Sequence, residues 1–352
     1  MLHATGFQAP DAFLFLEHNG VKTIVLSDLE FDRGRKEARV DEILPLSELA
    51  REVGGQPPLP VIAAYLLRRC NVRRVEVPAD FPLGMARVLE KSGIVVAAVE
   101  GHFWPEREFK TAQELAHIRR ALRIAKAGIL RAAEVLRAAK IKPGGKLSWN
   151  GKRLTSGIVR AEADSAVLRA GGAPEGTIVA GGIQACDPHE RGHGPLHAHQ
   201  LIIVDIFPRD ARTGFFGDLT RTFVRGRAGE AQRKMWQTVC AAQRLAVRLI
   251  KPGEQGASVH RAVQEFFSAH GYPTLRKGGR WTGFFHGTGH GLGLDLHEDP
   301  RIAATVFRPR QVFTVEPGLY YPATGGARHE DVVAVTKTGC QRLSHLSLPL
   351  EL

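Results

Sequence analysis

Little in this chain can cross-link, stack or span a membrane. Its four cysteines, Cys70, Cys186, Cys240 and Cys340, are scattered over 352 residues without a Cys-x-x-Cys pair. They read as reduced thiols rather than as a disulfide framework or a thiolate metal site. Aromatic residues make up only 7%. No apolar run approaches the roughly 20 residues of a membrane span. The N-terminus has no basic stretch followed by an apolar core, so a cytoplasmic protein with no membrane partner is expected. The first hundred residues also lack any phosphate-loop or dinucleotide glycine pattern, which argues against a nucleotide there.

The length suits two domains, or one large domain with an appendage. At 43% hydrophobic and 24% charged residues, the composition is that of an ordinary globular protein. The formal charge of +12 and pI near 9.9 raise nucleic acid as a partner. The excess is concentrated: residues 111–170 hold thirteen Lys/Arg against four Asp/Glu, whereas the first 110 hold fourteen against sixteen. That basic block is helical in pattern and nearly free of aromatics, so it offers no base-stacking platform. It reads as a solvated face, and nucleic acid is not the expected partner.

Strand and helix patterns alternate at the start. Phe13–Glu17 and Lys22–Ser27 read as strands joined by the His-Asn-Gly turn at 18–20. Val61–Arg69 reads as a helix, Val72–Val77 as a strand, Leu83–Lys91 as a helix and Ile94–Val99 as a strand. These strands look buried on both faces. The result is a small α/β domain over 1–108, closed by a short linker after Pro105. A second domain, 111–345, begins at Thr111 with Glu114 three positions on, which makes a capping box. Leu115, Ile118, Leu122, Ala125, Ile129, Ala132 and Leu136 then form one apolar helical stripe. That helix ends at Pro143-Gly144-Gly145. The pattern recurs: Ile250-Lys251-Pro252-Gly253 follows a helix starting near Gly229, and second helices follow near Thr155–Ala170 and Ser258–His270. Two like halves, 111–226 and 229–345, imply an internal duplication with a ligand site between them.

The densest chemistry lies at His286–Glu298, HGTGHGLGLDLHE. Histidines at 286, 290 and 297, threaded with glycine, suit a tight wall around a small ligand. The spacing is not the His-Glu-x-x-His of helical zinc proteases. Acidic residues interrupt apolar strand patterns in both halves: Asp205 in LIIVDIF, Asp218 in GDLTRTF, Glu316 in VFTVEPG and Glu330 in RHEDVVAV. A buried carboxylate is costly unless paired or metal-bound. Ordinary ion pairs, Asp218 with Arg221 or Glu330 with Arg328, are one reading. A shared metal centre is the other. Four carboxylates and one histidine are too many for a tetrahedral structural zinc. They suit two divalent cations, with manganese first and cobalt or zinc as alternatives. The stretch CDPHERGHGPLHAH adds His193, His197 and His199, whose spacing admits a separate surface metal site.

The motifs KTAQELAHIRRALRIA, GDLTRTF, HGTGHGLGLDLHE and TVEPGLY resemble those of the pita-bread metallopeptidases, which include aminopeptidase P, prolidase, methionine aminopeptidase and the metal-free creatinase. The resemblance covers nearly the whole chain. It implies a creatinase-like α/β N-terminal domain followed by an α+β pita-bread catalytic domain. It also implies a metal set of Asp205, Asp218, His290, Glu316 and Glu330, with Asp218 and Glu330 bridging two metals. Glu316 would assist proton transfer from a nucleophilic water. His189 would line the substrate cleft, His286 and His297 would support the substrate carbonyl, and Arg328 would orient the bridging glutamate. Two departures stand out. The usual Asp-x-Gly at the first ligand is Asp205-Ile206-Phe207, and the usual Arg-Ile-Glu-Asp is Arg328-His329-Glu330-Asp331.

The expected activity is hydrolysis of Xaa-Pro bonds in proline-containing peptides. Prolidase is preferred over aminopeptidase P, because Arg301 is placed to pair with a dipeptide's carboxylate, although a surface pair with Asp299 is an equal reading. A non-catalytic binding module on the same fold is the reading from another class, and intact ligands argue against it. The resemblance further implies a homodimer.

Overall fold

The structure, a computed structural model, describes residues 1–352, the side chain of Lys277 excepted. The chain divides into two compact units, Met1–Arg107 and Glu108–Leu352.

In the first unit, strands Leu14–His18 and Val21–Leu26 form an antiparallel hairpin. Its two-residue turn, Asn19-Gly20, has positive φ at both positions, 52° and 79°, the geometry that matches strand twist. Val21–Leu26 also pairs in parallel with Glu42–Pro45 through the helix Asp28–Glu37. Neither of those elements was visible as a pattern. The helix is mostly charged, and the strand is four residues long and ends in proline. Helices Leu59–Arg69 and Leu83–Lys91 accompany a second parallel pair, Arg74–Val77 with Val95–Ala98. The expectation of strands buried on both faces fails here. Arg74, Glu76, Val95 and Ala98 are exposed, because helices cover one face only and pack on Val75 and Val96.

The second unit opens with the helix Ala112–Ala138. Its capping box is formed: the Thr111 hydroxyl accepts from Glu114 N at 3.2 Å, and the Glu114 carboxylate accepts from Thr111 N at 2.8 Å. From Ile118 to Leu136 the predicted stripe is buried, with Leu115 packed at its edge. Helix Ser156–Arg169 follows, capped by Thr155. Strands Ile178–Gly181, Ile202–Ile206 and Leu219–Phe223 then make an antiparallel sheet. The second half repeats the order with helices Glu230–Leu249 and Gly256–Ala269. Its sheet runs Val312–Val315, Asp331–Val335 and Cys340–Arg342. The stretch 288–291 lies alongside Val312–Val315, with Thr314 N donating to His290 O and Glu316 N to Thr288 O, both at 2.9 Å. It stands where Ile178–Gly181 stands in the first half. The halves meet at their strands: Glu330 N donates to Thr220 O at 3.2 Å, and Arg328 N to the Thr222 hydroxyl at 3.0 Å.

The duplication explains the position of the acids. Asp205 is near the end of Ile202–Ile206, and Glu316 immediately follows Val312–Val315. Asp218 and Glu330 each immediately precede the partner strand. Each half therefore delivers two carboxylates from adjacent ends of an antiparallel pair. Gly217 makes the approach of Asp218 feasible, since a Cβ there would lie 2.4 Å from the backbone carbon of Ala121 on the first helix.

Candidate metal centre

Asp205, Asp218, His290 and Glu330 are all buried, and the Glu316 side chain is 18% exposed. One ligand atom each from Asp218, His290 and Glu330 lies within 4.8 Å of the others, the only such group among the described residues. His290 Nε2 stands 3.3 Å from Glu316 Oε1 and 3.7 Å from Asp218 Oδ2. Its Nδ1–H donates to Gly291 O at 3.0 Å, so the Nε2 lone pair faces the carboxylates. Acceptor facing acceptor is repulsive unless a proton or a cation sits between them.

Two more observations point the same way. The Oδ1 atoms of Asp205 and Asp218 are buried without a hydrogen-bond partner, a costly state for a carboxylate. The protonation equilibria are also displaced. Burial, and then the charges of Glu330, Asp205 and Glu316, push Asp218 well above the usual carboxylate range. Glu330 is raised likewise by burial and by Glu316 and Asp205. Burial pushes Glu316 up to about 7 against the pull of Arg328, with Asp205 adding to the rise. Burial lowers His290 to about 4, so it is a neutral donor of a lone pair at neutral pH. Oxygen-rich ligation with one neutral imidazole fits divalent cations, whose charge would replace the shared protons.

The simple ion-pair reading is not what forms. Arg221 pairs with Asp331 at 2.8 Å rather than with Asp218, and Arg328 pairs with Asp205 at 2.6 Å rather than with Glu330. Arg328 therefore orients the aspartate of the opposite half. Its other nitrogen donates to the Tyr320 hydroxyl at 3.1 Å. That hydroxyl lies 2.8 Å from His286 Nε2, while His286 Nδ1 meets Gly287 O at 2.8 Å. Both His286 nitrogens are thus engaged within the protein, and burial lowers its pKa to about 3. His297 is exposed, with its ring 4.4 Å from that of His290 and nearly perpendicular to it. Burial, and then the neighbouring His290, lower its pKa. His189 and Arg301 are exposed, and Arg301 makes no ion pair among the described residues.

The loop histidines do not assemble. His193 meets Gln184 and Glu190, and His199 Nδ1 lies against the Arg227 backbone. Among the described residues they join no metal-ligating group.

Three supporting residues escaped the sequence reading. The Thr220 hydroxyl donates to Glu330 Oε2 at 2.8 Å, Thr314 donates to Glu316 Oε1 at 3.2 Å, and Tyr320 links Arg328 to His286. The threonines carried a usable signal. Each lies two positions from an acid, Asp218 or Glu316, and strand alternation puts such pairs on one face.

Buried carboxylates and a neutral imidazole, gathered where two like halves meet, define a metal-dependent hydrolase. Residues 116–337 match the sequence profile of metallopeptidase family M24, and the chain belongs to that family. Among curated relatives, the Xaa-Pro dipeptidase of Pyrococcus furiosus is 34% identical over 172 residues, 48% of this chain. That match spans about half of the relative's length, 47%. The Xaa-Pro dipeptidase of Pyrococcus horikoshii is 26% identical over 336 residues, 92% of this chain and 83% of the relative. Two solved structures share the fold. The prolidase from Pyrococcus furiosus superposes with a TM-score of 0.81 at 23% identity, over 99% of this chain and 94% of that one. The X-Pro aminopeptidase from Thermotoga maritima gives 0.84 at 20% identity, over 100% and 93%. The architecture is therefore the expected α/β unit followed by a duplicated pita-bread unit.

Proposed function

We propose that the chain is a metal-dependent exopeptidase that hydrolyses Xaa-Pro bonds, with dipeptides as its preferred substrates. The observation that carries the reading is the facing of His290 Nε2 and the buried carboxylates, a set of acceptors that a cation would reconcile. The relatives named Xaa-Pro dipeptidase support the substrate class. Asp205, Asp218, His290, Glu316 and Glu330 would hold two divalent cations, manganese first. When bound, the cations supply Lewis acidity for activating water and polarising the scissile carbonyl.

The chain's own residues would do the rest. Glu316, whose Oε1 stands 3.3 Å from His290 Nε2, would take and return a proton as the general base. His297, beside His290 and open to solvent, would meet the carbonyl oxygen of the substrate, and His189 would line the cleft. His286, Tyr320 and Arg328 hold Asp205 in place as one hydrogen-bonded chain. Arg301, exposed, would receive the carboxylate that a dipeptide presents right after proline. In domain terms, residues 1–108 form the creatinase-like domain and 111–345 the catalytic domain. The working form is a homodimer, as the resemblance implies, in the cytoplasm that the sequence leads one to expect.

A panel of Xaa-Pro dipeptides, Xaa-Pro-Yaa tripeptides and proline-free dipeptides, assayed with manganese, tests the reading. Fastest turnover of Xaa-Pro supports it. Faster turnover of tripeptides makes the enzyme an aminopeptidase, and no turnover of any peptide refutes the proposal.

A further inference from the structure

We propose that Lys110 is a positioning residue, whose buried ion pair with Glu298 fixes the loop that presents His297 beside His290. The Lys110 side chain is 2% exposed and that of Glu298 9%. A buried ammonium is retained only where a partner compensates its lost hydration. Here the partner lies 188 positions away in sequence.

Both ends of the pair are held. On the lysine side, Lys110 N donates to Arg310 O at 2.8 Å. The neighbouring Glu108 accepts from Arg308 at 2.8 Å and from Gln311. The Arg308 guanidinium lies 4.6 Å from the Phe109 ring. With its backbone pinned, Lys110 delivers its ammonium to one place. On the glutamate side, Glu298 Oε1 faces Lys110 while Oε2 accepts from Asp295 N at 3.3 Å. Glu298 N donates to Gly291 O at 3.1 Å, and Gly291 bridges in turn to Phe313 on the strand leading to Glu316. Gly293 leaves the space, because a Cβ there would lie 2.3 Å from Glu298 Oε1.

The consequence for His297 follows from its place in the chain. It immediately precedes Glu298, whose backbone bridges to Gly291, the residue after His290. Anchoring Glu298 on the buried lysine fixes the adjoining backbone, and with it the place from which the His297 ring meets His290. Neither Lys110 nor Glu298 belongs to the cation-binding set, so the pair acts on the chemistry only through the loop.

The kinetic arm of the test rests on the hydrolase reading above, and a second arm does not. Lys110→Met alone strands a buried carboxylate and risks misfolding. The main variant is therefore Lys110→Met with Glu298→Gln, which removes both charges, and Lys110→Arg is the conservative rescue. The double variant should keep wild-type metal content and lose about tenfold in kcat on an Xaa-Pro dipeptide, with Lys110→Arg restoring most of it. His297→Ala should cost about a hundredfold by itself. Added to the double variant, it should leave the total near that same hundredfold, because both changes disable one group. Losses that multiply to about a thousandfold, or a double variant with wild-type kcat, overturn the proposal. Should the wild type cleave no peptide, the function fails on its own terms. The positioning claim then stands on amide hydrogen exchange, with at least tenfold faster exchange over 291–301 expected in the double variant. Unchanged exchange there overturns it.

Discussion

The sharpest consequence of crowding these acids is that cations must displace protons to bind. Burial raises Glu316 to about 7, so it is about nine-tenths protonated at pH 6 and about one-tenth at pH 8. From Glu316 alone, apparent metal affinity at pH 6 should fall about tenfold below that at pH 8, or about 1.4 kcal/mol. Asp218 and Glu330, also raised by burial and by each other's neighbours, act in the same direction. His290, lowered to about 4 by burial, is already neutral across this range and releases nothing. The sign is therefore fixed: affinity rises with pH, and each binding event expels protons. Calorimetric titration of manganese into chelator-stripped protein, repeated in buffers of different ionisation enthalpy, counts those protons directly. About one proton or more per chain is expected at pH 6 and distinctly fewer at pH 8. No release at pH 6, or an equal count at both values, would refute the reasoning about the cluster.

Asp218→Ala should lose metal and activity together, as metal analysis of the purified variant beside a peptidase assay will read. His297→Ala and His189→Ala should keep their metal and slow turnover by about a hundredfold, the usual cost of an oxyanion-type donor. Either one purifying without metal would make it a ligand. Arg301→Met should impair cleavage of Xaa-Pro far more than that of Xaa-Pro-Yaa, since only the dipeptide ends where Arg301 stands, and equal losses would remove Arg301 from substrate recognition.

What was legible in the sequence was whatever breaks a local pattern. Carboxylates inside apolar strand patterns exposed Asp205, Asp218, Glu316 and Glu330, and helical periodicity fixed the long helix with its capping box. The repeated turn, Lys142-Pro143-Gly144 and Lys251-Pro252-Gly253, disclosed the duplication. What failed was partner choice. Arg221 and Arg328 lie beside Asp218 and Glu330 in sequence, yet they pair with Asp331 and Asp205. Strand alternation and the meeting of the halves decide that, not proximity along the chain. The bond of Lys110 to Glu298 joins segments 188 positions apart and has no local trace. In the first unit, the helix Asp28–Glu37 lacked an apolar stripe. It packs instead through Gly34, where a Cβ would lie 2.2 Å from Leu26 Cδ1, so contact comes from the absence of a side chain. The histidines at 193, 197 and 199, whose spacing admits a surface metal site, join no metal-ligating group among the described residues.

The central claim is that two divalent cations, held by one acid-rich cluster, drive hydrolysis of Xaa-Pro bonds. Manganese returned stepwise to stripped protein, with turnover of an Xaa-Pro dipeptide measured at each step, tests it most directly. Turnover absent at the start and saturating as two equivalents per chain are filled is the predicted course. Full turnover in stripped protein, or none with two equivalents bound, would contradict the account.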